Sequence, residues 1–276
     1  MNRRVTADRV TPGRITAKLD FLQSATGVIL GTFIWFHLFF DSGIIIGKEA
    51  MYKVAKALEG SFLDPEGHGY PILVSIAAAS IFVVFVAHAG LALRKFPANW
   101  HQFNIFHRHS VELNHEDTRA WSVQVMTGFT LFFLGSMHLL YMMFFPGGIG
   151  PHLSAERIYS NGMWLFYLVL LFAVVLHAGI GLYKVCVKWG LFMGKDPRVG
   201  RVRLKAFFRI LTGIFLVLGV VSIVIYGKIG HENRDQKGVR YVPLHLQHVQ
   251  SEAIHEAQAS TEDETKMETH MNKGAH

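Results

Sequence analysis

Five apolar runs, each long enough to cross a bilayer, leave this chain almost no choice of fold. Phe21 to Ile46, Tyr70 to Leu93, Trp121 to Phe145, Met163 to Val187 and Phe207 to Tyr226 are predominantly apolar throughout. An α-helix needs about 20 such residues to span a hydrocarbon core about 30 Å thick. Backbone groups in lipid must pair within their own segment, so runs of this kind are helices. Composition agrees: of 276 residues, 51% are hydrophobic and 17% charged, a balance that a water-soluble domain of this size could not cover with polar surface. The first run follows a basic, polar segment of about 20 residues and has no small-residue cleavage pattern, which argues against a signal peptide. The expected fold is an all-α integral membrane protein with five transmembrane helices.

Charge orients the helices. The start of the chain carries Arg3, Arg4, Arg9, Arg14 and Lys18; the connection after the second span carries Arg94, Lys95, Arg108 and Arg119; that after the fourth carries eight Lys and Arg between Lys184 and Arg209. The opposite connections hold only Lys48, Lys53 and Lys56, and Arg157. By the positive-inside rule the N-terminus is cytoplasmic and the C-terminus outside. The net charge of +7 is thus mostly a topology signal, and no nucleic-acid partner is expected. Cys186 is the only cysteine, so no internal disulfide can form. The expected organisation is a cytoplasmic segment 1–20, a membrane domain 21–228 and a polar, flexible tail 229–276. Residues 95–119, with four histidines, read as a connection bearing a short amphipathic helix, and "KEAMYKVAKALEG" as a helix in the connection on the other side.

Sixteen histidines occur, and four of them lie inside spans: His37, His88, His138 and His177. An ionisable side chain in a transmembrane helix is a functional hypothesis by default, although a single one could serve only as a hydrogen bond between helices. Depth sorts the four. His37 and His138 fall 16 and 17 residues into outward-running spans, about 24 to 26 Å from the inner edge at about 1.5 Å per residue. His88 and His177 each lie seven residues before a lysine at the inner edge, Lys95 and Lys184. The chain therefore has an outer pair and an inner pair.

It also repeats itself. "QSATGVILGTFIWFH" and "QVMTGFTLFFLGSMH" share Gln, Thr-Gly and His at equal offsets, and "HAGLALRK" and "HAGIGLYK" share "HAG", Leu and Lys. Two imidazoles at one depth on different helices match what a six-coordinate haem b needs on its two axial faces. Zinc would find only two ligands per level. Two b haems in a four-helix core are therefore expected, with irons about 10 to 15 Å apart along the membrane normal. Gly90 and Gly179 suit the space beside the inner ring, and Thr26 and Gln23 are placed to meet its propionates. With no dinucleotide fingerprint and no cysteine cluster, any substrate chemistry must belong to another subunit.

At this point "AKLDFLQSATG", "VAHAGLALRKFP", "MTGFTLFFLGSMHL" and "YLVLLFAVVLHAGIGLYKVCVKWG" resemble the dihaem cytochrome b subunit of bacterial fumarate reductases, within the succinate:quinone oxidoreductases, over about Ala17 to Lys228. The resemblance implies a subunit of the bacterial inner membrane that oxidises menaquinol in anaerobic respiration. Its partners would be an iron-sulfur subunit and a FAD-bearing flavoprotein on the cytoplasmic side, where fumarate becomes succinate, and a dimer of such heterotrimers is the assembly to test. It implies that His88 and His177 hold the proximal haem and His37 and His138 the distal one. It also implies that Gln23, Ser24, Trp121 and Lys188 meet haem propionates, with Lys95 and Arg157 as further candidates. Glu59, which alone would read as a solvated charge, matches a glutamate that takes protons from quinol. One position departs: members of the family carry a glutamate two residues before the fourth-span histidine, a proton route across the membrane, and here Val175 stands there. The alternatives are the reverse reaction, succinate:menaquinone reduction; a dihaem anchor of another respiratory dehydrogenase, which would place its histidines differently; and a haem-free transporter or anchor, which would show no Soret band.

Overall fold

A computed structural model describes residues 12–95, 116–244 and 246–247. Among them eight α-helices follow one another: α1 (Pro12–Asp41), α2 (Gly43–Ile46), α3 (Lys48–Leu58), α4 (Ile72–Leu93), α5 (Glu116–Phe144), α6 (Pro151–Tyr159), α7 (Met163–Lys188) and α8 (Pro197–Glu232). Five stretches are long and apolar enough to cross a membrane: Gly13–Ile46, Ile72–Leu93, Arg119–Phe144, Pro151–Lys188 and Pro197–Glu232. No strand occurs among the described residues.

Several of these helices outrun the expected spans, because the flanking polar residues are themselves good helix starters. Asp196 caps α8, its carboxylate accepting from the Arg198 and Val199 amides at 2.8 and 3.4 Å, and Pro197 follows at the first helical position. Thus α8 begins ten residues before the apolar run and ends six after it.

The packing order places the histidines. Helices α1, α4, α5 and α7 close a ring: α1 lies beside α4, α4 beside α5, α5 beside α7, and α7 beside α1. Helix α8 packs outside that ring, against α7 and α1. The outward faces are apolar, with Phe36, Phe39, Val83, Phe133 and Val224 all well exposed. In water such a surface would be untenable, and in lipid it is the solvent-facing side. One end of the bundle, the basic end, gathers Arg94, Lys95 and Lys188. At the opposite end α2, α3, α6 and α8 meet in an apolar cluster of Ile44, Met51, Ala155, Ile158, Tyr226 and Ile229.

The chain beyond α8 belongs to the segment expected as a tail. Its described part lies across the end opposite the cations as a strap. The Gly238 amide donates to Glu156 at 2.8 Å, while the Tyr241 hydroxyl and the Leu244 amide both donate to Glu49 Oε1, at 2.6 and 2.7 Å. The Tyr241 ring meets those of Tyr52 and His152 edge-on. The amphipathic helix expected near 95–119, most of the N-terminal segment and the end of the tail lie outside the described residues.

Candidate functional site

The ring brings the four intramembrane histidines together in the two pairs that depth suggested. His37 on α1 faces His138 on α5 with ring centroids 6.3 Å apart, and His88 on α4 faces His177 on α7 at 6.4 Å. Each pair joins helices that stand across the ring rather than side by side. These spacings exclude a direct hydrogen bond between the paired rings and leave room for a metal between them. Two imidazoles sharing a direct N–H···N bond of about 2.9 Å would have centroids only about 5 Å apart. Two imidazoles on opposite faces of one metal, with nitrogen about 2 Å from it on each side, would have centroids about 6.2 Å apart. Both pairs have the second spacing, so the residues present fit a bis-imidazole haem at each level.

The inner pair is built from the repeated unit. His88 Nδ1 lies 3.1 Å from Thr26 Oγ1, and the Thr26 hydroxyl hydrogen is engaged by its own helix, 2.8 Å from the Leu22 carbonyl and 3.1 Å from that of Gln23. His177 repeats this on the neighbouring helix pair: Nδ1 is 3.0 Å from the Gln124 carbonyl and 3.3 Å from Thr127 Oγ1, whose hydrogen goes to Val123 at 2.7 Å. A carbonyl can only accept, so Nδ1 carries the proton and Nε2 keeps its lone pair for a metal. The glycines of the same motif make room. A Cβ at Gly27 would lie 2.9 Å from His88 Cε1, and one at Gly128 3.1 Å from His177 Cε1. Thr26 was expected to meet a propionate, but its oxygen is on His88 instead. Gly179 also differs from expectation, since the place its Cβ would take is filled by the Thr212 hydroxyl of α8. The identical spacing of the two Thr-Gly pairs was the visible signal for this support.

The outer pair is held differently. His37 stacks on Phe33 at 5.7 Å, His138 meets the Tyr167 ring edge-on at 5.8 Å, and His138 Nδ1 is buried with no hydrogen-bond partner. Beside His138 opens a cavity of about 400 Å³ lined in part by Tyr141, Gly148, Arg157, Phe166 and Tyr167. Arg157 donates to the Gly148 carbonyl at 2.9 Å and lies over the rings of Tyr141 and Tyr167 at 5.3 and 5.9 Å. Its Nε is buried and unpartnered.

At the basic end, sequence reasoning missed Asp20. This carboxylate collects Arg94, Lys95 and Lys188, at 2.5, 3.1 and 3.1 Å. Three cations around one carboxylate leave a surplus of two positive charges, which suits the two propionates of a haem. Gln23 and Ser24 follow within the next turn of α1. The Gln23 side-chain oxygen is buried without a partner, whereas the Ser24 hydroxyl is engaged by the Asp20 carbonyl at 2.9 Å. Trp121 is half-buried near the start of α5.

Glu59 closes α3 and is 2% exposed. Lys56 Nζ sits 2.7 Å from one of its oxygens and Arg240 3.7 Å from the other. It does not line the cavity beside His138. Val175 is fully buried against Leu171 and Phe215, with Trp35 packed beside them, so the departed position is dry and apolar.

Five apolar spans that enclose two facing pairs of imidazoles define an integral membrane protein shaped to hold planar groups between its helices. Residues 103–221 match the family described as the succinate dehydrogenase/fumarate reductase transmembrane subunit. The chain is 48% identical over 230 residues to the fumarate reductase cytochrome b subunit of Wolinella succinogenes, covering 82% of this chain and 89% of that one. It is 47% identical over 221 residues to the same subunit of Helicobacter pylori J99, covering 80% and 84%, and equally so to that of strain 26695. The chain therefore belongs to the fumarate reductase cytochrome b subunits: a haem b protein, multi-pass in the bacterial inner membrane, and one subunit of an oxidoreductase complex.

Proposed function

We propose that this chain oxidises menaquinol at the outer side of the membrane and passes the electrons inward through two b haems. The electrons leave for a partner iron-sulfur subunit and then a FAD subunit, where fumarate is reduced to succinate. The observation that carries this reading is the pair of centroid spacings, 6.3 and 6.4 Å, at two depths of one bundle. His37 and His138 would hold the distal group and His88 and His177 the proximal one, with the basic end cytoplasmic. A bound haem supplies a one-electron carrier, and the rest is done by the protein. Thr26 and Thr127 fix the tautomer and aim of the inner imidazoles. Arg94, Lys95 and Lys188 around Asp20 offer the charge to neutralise propionates, and Arg157 does so beside His138. Glu59 takes a proton from quinol and releases it outward. Each menaquinol gives up two electrons and two protons in becoming menaquinone; the electrons and two cytoplasmic protons convert fumarate to succinate.

A pyridine haemochrome assay and a reduced-minus-oxidised spectrum of the purified complex test this. Two b haems per copy of this chain are expected, and one or none would reject the reading. His88→Ala and His177→Ala should each remove one spectral component and His37→Ala and His138→Ala the other. Any of these variants that keeps both components removes that residue from the ligand set.

A further inference from the structure

The strap after α8 delivers one side chain to a buried carboxylate. Arg240 faces Glu59 Oε1 at 3.7 Å, while its other terminal nitrogen donates to the Gly147 carbonyl at 2.7 Å. The next carbonyl, Gly148, accepts from Arg157, which lines the cavity beside His138. Glu59, Arg240, the 147–148 turn and Arg157 thus form one connected polar line from a buried carboxylate to that cavity. The strap is pinned on both sides of Arg240, by Glu156 at Gly238 and by Glu49 at Tyr241 and Leu244. The far side of the turn is shaped for the guanidinium too, since a Cβ on Gly147 would come within 2.9 Å of it.

Among the described residues Glu59 has two charged neighbours, on different elements. Lys56 belongs to its own helix and is also tied to the His68 carbonyl at 2.7 Å. Arg240 comes from the strap, and the His68 ring turns away toward Glu66 and Asp64. A carboxylate buried to this degree needs compensating positive charge, and only its ionised form can accept a proton. Arginine does not lose its charge at any working pH, and Arg240 is half exposed, with one side in water.

We propose that Arg240 is a positioning residue for quinol oxidation, holding Glu59 in its ionised form and linking it to outer water. The inference rests on the reading of Glu59 as the proton acceptor. In the step, a quinol O–H bond breaks and a Glu59 O–H bond forms, while the electrons pass to the complex's fumarate-reducing acceptor. Neutral Glu59 then gives its proton to water beside Arg240, and the ion pair re-forms.

The test uses the whole complex in membranes, with a water-soluble naphthoquinol as donor and fumarate as acceptor, and follows kcat/KM for the quinol against pH. Arg240→Gln should move the acid limb upward by about one pH unit, and Arg240→Lys should return most of it, with unchanged haem spectra in both. A limb that stays in place in Arg240→Gln overturns the proposal, as does an equal shift in Gln and Lys variants. If Arg240→Gln does not assemble, Gly147→Ala displaces the guanidinium while keeping every charge; the same upward shift supports the proposal and its absence overturns it. Glu59→Gln separates the two layers. Wild-type turnover in that variant overturns the reading of Glu59 itself, whereas lost turnover with an unmoved Arg240→Gln profile overturns only the role of Arg240.

Discussion

Thr26 gives His88 Nδ1 a hydroxyl oxygen, and Thr127 shares His177 Nδ1 with the Gln124 carbonyl. Replacing either with valine keeps the shape and removes the hydroxyl, which leaves His177 the Gln124 carbonyl and makes Thr127→Val the milder change. Outer-sphere partners of this kind typically change metal-site affinity by about 10- to 100-fold. Thr26→Val and Thr127→Val should therefore lower the haem-to-protein ratio of the inner component on dilution and shift its midpoint potential, leaving the outer component in place. Gly27→Val is expected to be harsher, because the branched side chain would occupy the space of the His88 ring; loss of the inner component on redox titration checks it. The four histidines stand out in the sequence because depth and the repeat sort them into pairs, where one imidazole alone could serve only as a hydrogen bond between helices. The threonines are visible as a repeat, but the sequence points Thr26 toward a propionate and leaves Thr127 without a role. Spacing along α1 says which residues share a face with His37, and nothing about which neighbour's imidazole leans against that face. Asp20 was missed for the same reason, since three cations gather on it from two helices that meet only in the fold.

At the scale of elements, the short helices and the strap shape the end opposite the cations, where the proposed function puts quinol oxidation. Hydropathy picks out the long spans, because lipid imposes a length on them, and "KEAMYKVAKALEG" reads as the helix that is α3; α2 and α6, packed in a small apolar cluster, and residues 238–244, held by individual hydrogen bonds, leave no such pattern. Glu49 is the main anchor, and its carboxylate acts on Tyr241: burial first, and then the hydrogen bond to Glu49, push that phenol up to about 12. A raised phenol pKa favours the folded state below the ordinary value near 10, and the benefit is lost as pH rises through about 12. The anchor is therefore constant across physiological pH. Tyr241→Phe should increase amide hydrogen exchange over 238–244 and 48–58 while haem content stays at the wild-type level. Unchanged exchange would mean that the Leu244 amide and the ring contacts suffice to hold the strap.

For the whole molecule, the decisive substitution is Val175. A valine fully buried among Leu171, Phe215 and Trp35 gives a proton no foothold at that depth. On the proposed function, electrons moving inward and protons released outward would then separate charge without compensation. Fumarate reduction by a menaquinol analogue in proteoliposomes is expected to generate a potential, positive on the quinol side, readable with a voltage-sensitive dye; electroneutral turnover would count against it. The two-helix repeat has its own consequence. Thr26 supports His88 within the first unit, and Thr127 supports His177 within the second. Facing, by contrast, always crosses between units, His37 to His138 and His88 to His177. A lone hairpin of this kind would own half of each site and all of the scaffolding for its inner half. Two identical copies related by a two-fold axis along the membrane normal would complete both. The bundle has the form of such a homodimer joined into one chain, with α8 lying along one flank.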